Sequence, residues 1–565
     1  MSATIAINDL KFVIFGAGHD YTLADSGDGE VQVFSHPFVP LNSVMYAGQW
    51  YFLVPDEDGN PMDCVKDDLA HCTFTPALGS TFDTEGEITV ECNYHREYIY
   101  DEETLVVDKT VRQTIQVVNH GSVVLYAGDY WGAYYCSDVY SDGYMFLHPK
   151  NVNDLTAVNY CQPWYDSRLG GVTVKKISSF YWRVEQLGAG NSTTWLNNLG
   201  NDFEDIDELR YADTSKVTTI RGFMNGGNKV KDLEPLTDWN ISNVTSLANL
   251  LSGSTNLKSL KGLEKWNTSK ITSLANAFQN LQSITDWSAI SGWDVSKVTS
   301  LYYTFAGSSL ADLTVLKDWD VSAVTTAESC FRELGITSLH GLEDWNVEAL
   351  ANMNGMFYHD NLGTIAELLS WETQVTSLYS TFEGCGLTSL HGLENFNTAN
   401  LLTMRYCFKE NVKLTSLDGL ENWDVSACTD FREAFYGLAW LEDISALADW
   451  DTSSAELLDQ MFYFTASILN VTDFADWDFS NVTSMGGMLA GWNKYHSTKL
   501  NIDVYQDAYY YWDYNGRRYT HAEVEDEDYP MTQFTKTASG AESWNVSGSG
   551  LNAFDSKWNN IPSWN

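Results

Sequence analysis

The residues whose clustering suggests chemistry in this chain are aromatic, and the chemistry is recognition. Tyr302, Tyr303, Tyr358, Tyr379, Tyr406, Tyr436 and Tyr463 recur at nearly regular intervals, and Tyr509, Tyr510, Tyr511 and Trp512 crowd an acidic segment near the C-terminus. Flat rings with polar edges give large contact area at low entropic cost and stack on sugars or protein surfaces. These residues are the candidate binding set. The periodic seven could equally fill gaps between repeat units, and the preferred reading of the C-terminal four is that they shield the end of an array.

Reactive or metal-binding groupings are poorly supported. Pro55–Asp63 reads PDEDGNPMD, with Asp56, Asp58 and Asn60 at the first, third and fifth positions of an EF-hand loop. The sixth position needs glycine and is Pro61, and the twelfth needs glutamate and is Asp67, so a turn after the strand QWYFLV explains the segment better. Cys64, His71, Cys72, Cys92 and His95 do not form a zinc site: Cys64 and Cys72 are too far apart for a knuckle, and Cys92 and His95 face opposite sides of a strand. FGAGHD around Gly16 and Gly18 lacks the third glycine and the following helix of a dinucleotide fingerprint. His19, Asp20, His148 and Cys161 make a triad only by free choice among 11 histidines and nine cysteines. A carboxylate pair for glycan hydrolysis could be drawn from the 76 acidic residues, but nothing marks which two. The expectation is a protein that is not an enzyme and needs no metal or cofactor.

Composition narrows the partners. With 32 Lys and Arg against 76 Asp and Glu, the 565-residue chain carries a formal charge of −44, which repels phosphate and disfavours nucleic acid and anionic membrane. Hydrophobic residues at 44% and aromatics at 14% exclude a disordered acidic chain. Odd, thinly spread cysteines suggest reduced, buried thiols. The start, MSATIAINDLKFVIFGAGHDY, has no basic region, and its apolar stretch from Phe12 to Phe15 is shorter than the roughly 7 to 15 residues of a signal core, so no Sec signal is expected. No apolar run reaches the ~18 residues of a membrane helix.

The elements that would hold the periodic tyrosines are internal repeats. Trp239, Trp266, Trp293, Trp319, Trp345, Trp371, Phe396, Trp423, Trp450 and Trp477 follow one another at intervals of 25 to 27 residues. Apolar residues recur five, eight and twelve places after the aromatic, as in Ile271, Leu274 and Phe278, and this spacing predicts one face of a short helix. Asp or Asn next to the aromatic and Ser two places later predict a turn and cap. Leucine then recurs every third residue, as in LTSLDGLENW from Leu414 to Trp423, which suits tight stacked coils. One aromatic per coil at constant phase predicts a buried structural ladder. The pattern W-[DN]-x-S-x-V-T-S-L-x-x-x-F followed by L-x-x-L-x-x-L resembles the repeat of about 26 residues found in the BspA-like bacterial surface proteins, a divergent leucine-rich-repeat group. The resemblance covers about residues 206 to 495 and implies an extracellular adhesion or recognition scaffold without catalysis.

The flanks read differently. Before residue 205, alternation in TLVVDKTVRQTIQVV and in the candidates EVQVF, QWYFLV, EITVEC, SVVLYA and SSFYWRVEQL predicts short strands of a β-sandwich-like region. The expected organisation is multidomain: 1–120 a β-rich attachment domain, 121–205 a second β-rich module or N-terminal cap, 206–495 an α/β leucine-rich-repeat-like solenoid of about ten coils, and 496–565 a small aromatic and acidic module. The leading functional expectation is a bacteriophage virion appendage, made in a bacterial cytoplasm, whose solenoid binds a host cell-surface protein or glycan and whose N-terminal region contacts other virion proteins. A bacterial cell-surface adhesin is the alternative, and a glycan-degrading virion enzyme the third. Homo-oligomerisation is left open.

Overall fold

The computed structural model describes residues 11–15, 38–45, 49–55, 61–67, 71–100, 103–126, 135–149, 169–179 and 203–488, together with strands at 510–513, 518–520, 531–536, 542–547, 553–554 and 560–561. Within 203–488 the description is interrupted at 212–213, 215–216, 227–228, 466–467, 469–476 and 487. The chain divides into two compact units, Met1–Ile271 with Ser283–Trp293, and Thr272–Gln282 with Asp294–Asn565.

The first unit begins with strands β1 (Lys11–Phe15), β2 (Phe38–Pro40), β3 (Gln49–Pro55), β4 (Pro61–Asp67), β5 (Cys72–Thr75), β6 (Gly86–Tyr100), β7 (Glu103–Val118), β8 (Val123–Tyr126), β9 (Tyr135–Tyr140), β10 (Tyr144–Pro149) and β11 (Lys176–Ser179). They form sheets ordered β1-β3-β4, β2-β7-β6-β5 and β11-β10-β9-β8. The long β6–β7 ladder shows why: Ile115 and Val117 are buried with Val90 and Cys92, while Arg112 and Thr114 are exposed, so alternation sets one face against the core. EVQVF, and SSFYWRVEQL beyond Ser179, lie outside the described residues. The repeat begins in this unit. The indole N–H groups of Trp239, Trp266 and Trp293 donate to the carbonyls of Leu209, Leu236 and Leu263 at 2.8, 3.0 and 3.1 Å. A buried indole needs such an acceptor.

In the second unit the same bond recurs from Trp345, Trp371, Trp423, Trp450 and Trp477 to Leu316, Leu342, Leu393, Leu420 and Leu447. After the aromatic comes an Asx turn, in which the Asp side chain accepts the backbone N–H two residues on, as Asp294 does from Ser296 and Asp424 from Ser426. Single parallel bridges then join successive repeats, from Ser273 and Ser300 through Thr326, Asn352, Ser377, Thr403, Asp430 and Leu457 to Ser484.

The helix predicted for the first half of each repeat is absent among the described residues, where the helical segments are short 3-10 turns. The N–H groups of Leu274, Asn276, Phe278 and Asn280 donate to the carbonyls of Ser300, Tyr302, Thr304 and Ala306 in the next repeat, and those of Leu301, Tyr303, Phe305 and Gly307 donate onward to Thr326, Glu328, Cys330 and Arg332. Each bridging peptide thus accepts from the repeat before and donates to the repeat after. Between them run i to i−3 bonds, such as Ala277 to Leu274 and Thr304 to Leu301. Left-handed residues at Asn276, Asn280, Tyr303 and Gly307 turn alternate N–H groups outward. Packing explains the outcome. Phe278, Phe305, Phe331, Phe357, Phe382, Phe408, Phe435 and Phe462 stack at 5.1 to 5.9 Å with planes within 16° of parallel. A helix about 10 Å across does not fit between repeats so closely spaced.

The leucine run closes each repeat by further turns, with Leu393 N–H bonded to Leu390 O and Phe396 N–H to Leu393 O. Glycine is needed within it: Gly392 has φ +118°, and a Cβ there would lie 2.1 Å from the carbonyl oxygen of Ile365 in the preceding repeat.

Candidate functional site

The turn band that carries the peptide bridges also presents side chains outward. Its apolar positions, such as Leu378 and Phe382, are buried. The positions between them, set nine, ten, thirteen and fourteen residues after most repeat aromatics, supply an outer face. There the repeat asks only for a left-handed backbone at two positions, so residue type is free to vary.

All seven periodic tyrosines lie on this face. Tyr302 and Tyr303 pair at 4.5 Å between ring centroids. Tyr358 lies against His359 at 4.2 Å and beneath the guanidinium of Arg332 at 3.9 Å. Tyr379 meets Tyr406 edge-on at 5.4 Å. Arg405 stands 4.5 Å from the Tyr406 ring and 6.0 Å from that of Tyr379, and it donates to the Tyr406 hydroxyl. Lys409 bridges Tyr406 and Tyr436 at 4.6 and 4.8 Å. Tyr436 stacks on Tyr463 at 5.2 Å, and Phe464 packs edge-on against both. The result is one connected series, Tyr379–Arg405–Tyr406–Lys409–Tyr436–Tyr463–Phe464, with Tyr302–Tyr303 and Arg332–Tyr358–His359 as separate groups on the same face. Tyr379 and Phe464 remain 40% and 41% exposed, large values for rings already packed on a neighbour.

Charge on the face is unusual for this chain. Residues 294–490 hold seven basic and 29 acidic side chains, and four of those seven, Arg332, Arg405, Lys409 and Arg432, stand here. Lys409 pairs with Glu433 at 2.7 Å, Arg432 with Asp430 at 2.7 Å, and Arg332 with Glu333 at 2.9 Å. Partial burial works against the Lys409 ammonium, but the Glu433 bond outweighs it and raises its pKa. Burial also raises the Tyr358 and Tyr436 phenols, so both stay neutral at physiological pH. Neutral rings flanked by fixed cations can stack on apolar sugar faces or aromatic side chains and donate hydrogen bonds at their edges.

Sequence reasoning missed Arg405, Lys409, Arg432, His359 and Phe464, although the signal was available: scarce basic residues fall at the same repeat offsets as the tyrosines. The recurrent aromatics do not contribute to the face, being buried at 5% exposure or less. Tyr510, Tyr511 and Trp512 fall on a strand at Tyr510–Asp513, and Tyr509 lies outside the described residues.

Other groupings have less to offer. Among the described residues no cluster of three or more His, Cys, Asp and Glu side chains could hold a metal. Cys92 is buried and His95 exposed. Six described cysteines are free thiols, Cys330, Cys385, Cys407 and Cys428 buried in the repeats. No described helix is long and apolar enough to cross a membrane. A cavity of about 640 Å³ in the first unit is lined by four lysines, among them Lys176, and four carboxylates, among them Asp205, which pairs with Lys176 at 2.6 Å.

Three segments of the chain, 195–286, 255–371 and 376–502, match the family described as "Mycoplasma protein of unknown function, DUF285", and together they span more than half of its length. The chain belongs to the DUF285 family. Successive matches along the same stretch as the recurrent aromatics make this a repeat-family relationship, in keeping with the resemblance to bacterial surface repeats, and they carry no link to a virion. No curated protein matches the chain.

Proposed function

We propose that this DUF285-family chain is a non-enzymatic recognition protein whose repeats form a leucine-rich solenoid and whose tyrosine and cation face binds a receptor or glycan on a cell surface. One observation carries the reading: Tyr379, Tyr406, Tyr436 and Tyr463 occupy positions that stacking does not require, yet join into a partly exposed aromatic series on a strongly acidic protein. Placement on a bacterial surface as an adhesin rests on the resemblance of the repeats to those of bacterial surface proteins; the family description adds a bacterial source and no function. Placement on a virion draws none from it.

The test uses the full chain and intact candidate cells. A Tyr379→Ala/Tyr406→Ala/Tyr463→Ala variant should bind cells at least about tenfold more weakly, as expected when aromatic anchors are removed, with an unchanged far-UV spectrum. Equal binding by a folded variant refutes the reading. Binding of the full chain to purified phage particles would favour the virion placement instead.

A further inference from the structure

We propose that Arg405, held between Tyr379 and Tyr406, is the anion-reading centre of this face, and that its ligand is a sugar residue bearing a carboxylate within a sparsely charged glycan. The proposal deepens the recognition reading above and rests on it.

Arg405 differs from the other cations of the face. Arg332, Lys409 and Arg432 are each neutralised by a carboxylate within 2.9 Å. Arg405 has no carboxylate partner among the described residues, and its Nε is buried without an acceptor. Its one side-chain hydrogen bond goes to the Tyr406 hydroxyl, which orients the guanidinium without discharging it. Lys409 stands over the same ring at 4.6 Å. Among the described residues Arg405 is thus the cation of this face with no carboxylate bonded to it, while Glu383 acts on the neighbouring Lys409 and Glu410 on Tyr436 only at longer range.

Geometry gives the ligand class. A guanidinium fixed by a neighbour offers its terminal N–H groups as a planar fork, and a carboxylate accepts two of them side by side. Tyr379 meets Tyr406 at 78° between ring planes and is 40% exposed, so its ring offers a flat apolar surface beside the fork. A pyranose carrying a carboxylate has both complements in one residue, an apolar ring face and an anionic edge. The acidic surroundings add a filter, because a densely charged polymer would be repelled. One carboxylate separated from the next by neutral sugar is what the charge distribution admits.

The experiment is calorimetric titration of the full chain with an oligosaccharide of alternating glucuronic acid and N-acetylglucosamine, with its carboxyl-reduced counterpart, and with oligoglutamate. The acidic oligosaccharide should bind at least about tenfold more tightly than the reduced one, the scale of a charge-assisted bidentate contact. R405Q should erase that difference, R405K should recover part of it, and both should keep the wild-type unfolding midpoint. Equal affinity for the acidic and reduced sugars overturns the assignment of Arg405 while leaving the recognition reading intact, provided the tyrosine variant still loses cell binding. Tighter binding of oligoglutamate overturns the sugar class. Retained acid preference in both R405Q and R405K removes Arg405 from the site.

Discussion

Asp360 offers the sharpest quantitative test of how the repeats are held together. It is 2% exposed; its Oδ1 accepts N–H groups from Leu334 at 3.0 Å and Gly335 at 2.8 Å, while its Oδ2 is buried without a hydrogen-bond partner. Asn411 occupies the same place fifteen residues after its aromatic. There Oδ1 accepts from Leu387, and Nδ2 donates to the carbonyls of Phe382 and Phe408 at 2.8 Å each. The repeat thus provides for a donor where Asp360 has a carboxyl oxygen, and burial pushes its pKa up to about 8. A carboxyl group whose folded pKa lies above its unfolded value of about 4 holds its proton preferentially in the folded state. Its stabilising contribution is complete below pH 4 and is lost as pH rises toward 8, at about 1.4 kcal/mol per pH unit. At pH 7 the accumulated loss is on the order of 4 kcal/mol. Asp360→Asn supplies the donor permanently. Its stability relative to wild type should be near zero at pH 4 and should grow by about 1.4 kcal/mol per unit up to pH 8. Comparison of the two proteins cancels the carboxylates that act in the opposite sense, such as Asp294, held low first by the Ser296 hydroxyl and then by its N–H. Urea unfolding followed by tryptophan fluorescence at pH 4.5, 6 and 7.5 measures the difference. A variant less stable than wild type at pH 7.5, or a difference that does not change with pH, would refute the argument.

Three further outcomes are expected. Trp371, fully buried, stacked at 6.3 Å on Trp345 and bonded to Leu342 O, should lose about 3–5 kcal/mol on replacement by Ala, as core aromatic truncations do; Trp371→Phe, which imitates Phe396, should lose only about 1–2 kcal/mol for the missing hydrogen bond. Denaturant midpoints that rank the two in reverse would exclude a stacked ladder. Gly437→Ala, where a Cβ meets nothing closer than 3.7 Å, should cost about 1–2 kcal/mol through its left-handed backbone alone; Gly392→Ala, where a Cβ would strike the Ile365 carbonyl, should cost clearly more, and equal thermal shifts would contradict the close approach of successive repeats. Deleting one whole repeat, Trp319 to Asp344, should leave a folded, shorter protein, because each repeat meets near-equivalent neighbours; aggregation in size-exclusion chromatography would argue against modular stacking.

The repeat and its register were legible in the sequence because stacking demands the same side chain at the same offset every time. Trp345, Trp371 and Phe396 announce themselves by recurrence, and their indole bonds follow from burial. The backbone between them was not legible. Apolar residues at spacings of three and four, as in Ile271, Leu274 and Phe278, suit a helix and suit equally a chain of turns in which every fourth residue, such as Asn276 and Asn280, is left-handed. Inter-repeat spacing decides between the two, and it is a tertiary quantity. The tyrosines of the face were legible as departures from the repeat, whereas Arg405 and Lys409 were marked only by sharing the tyrosines' offsets, and a lone cation gains meaning from the rings beside it. Asp360 was hidden for a related reason: its environment is built from Leu334 and Gly335 of the preceding repeat.

The bridging peptides of the second unit also have an electrical consequence. In an ordinary parallel sheet, neighbouring peptide dipoles along a strand alternate and largely cancel. Here the four bridging peptides of a repeat point the same way, each carbonyl toward the preceding repeat and each N–H toward the following one, as at Ser300–Leu301 and Tyr302–Tyr303. Bonds of the opposite sense, such as Thr299 to Thr272 and Thr325 to Thr299, offset part of the sum. The remainder is a macrodipole of the kind a helix carries, negative at its carbonyl end and positive at its N–H end. The two ends of the band are therefore chemically unlike: a cap on one must donate, and a cap on the other must accept. Copies brought together through bare ends could continue the columns head to tail but not head to head. Contacts of that kind are heterologous, and they close into a ring or run on as a filament according to the rotation each one imposes.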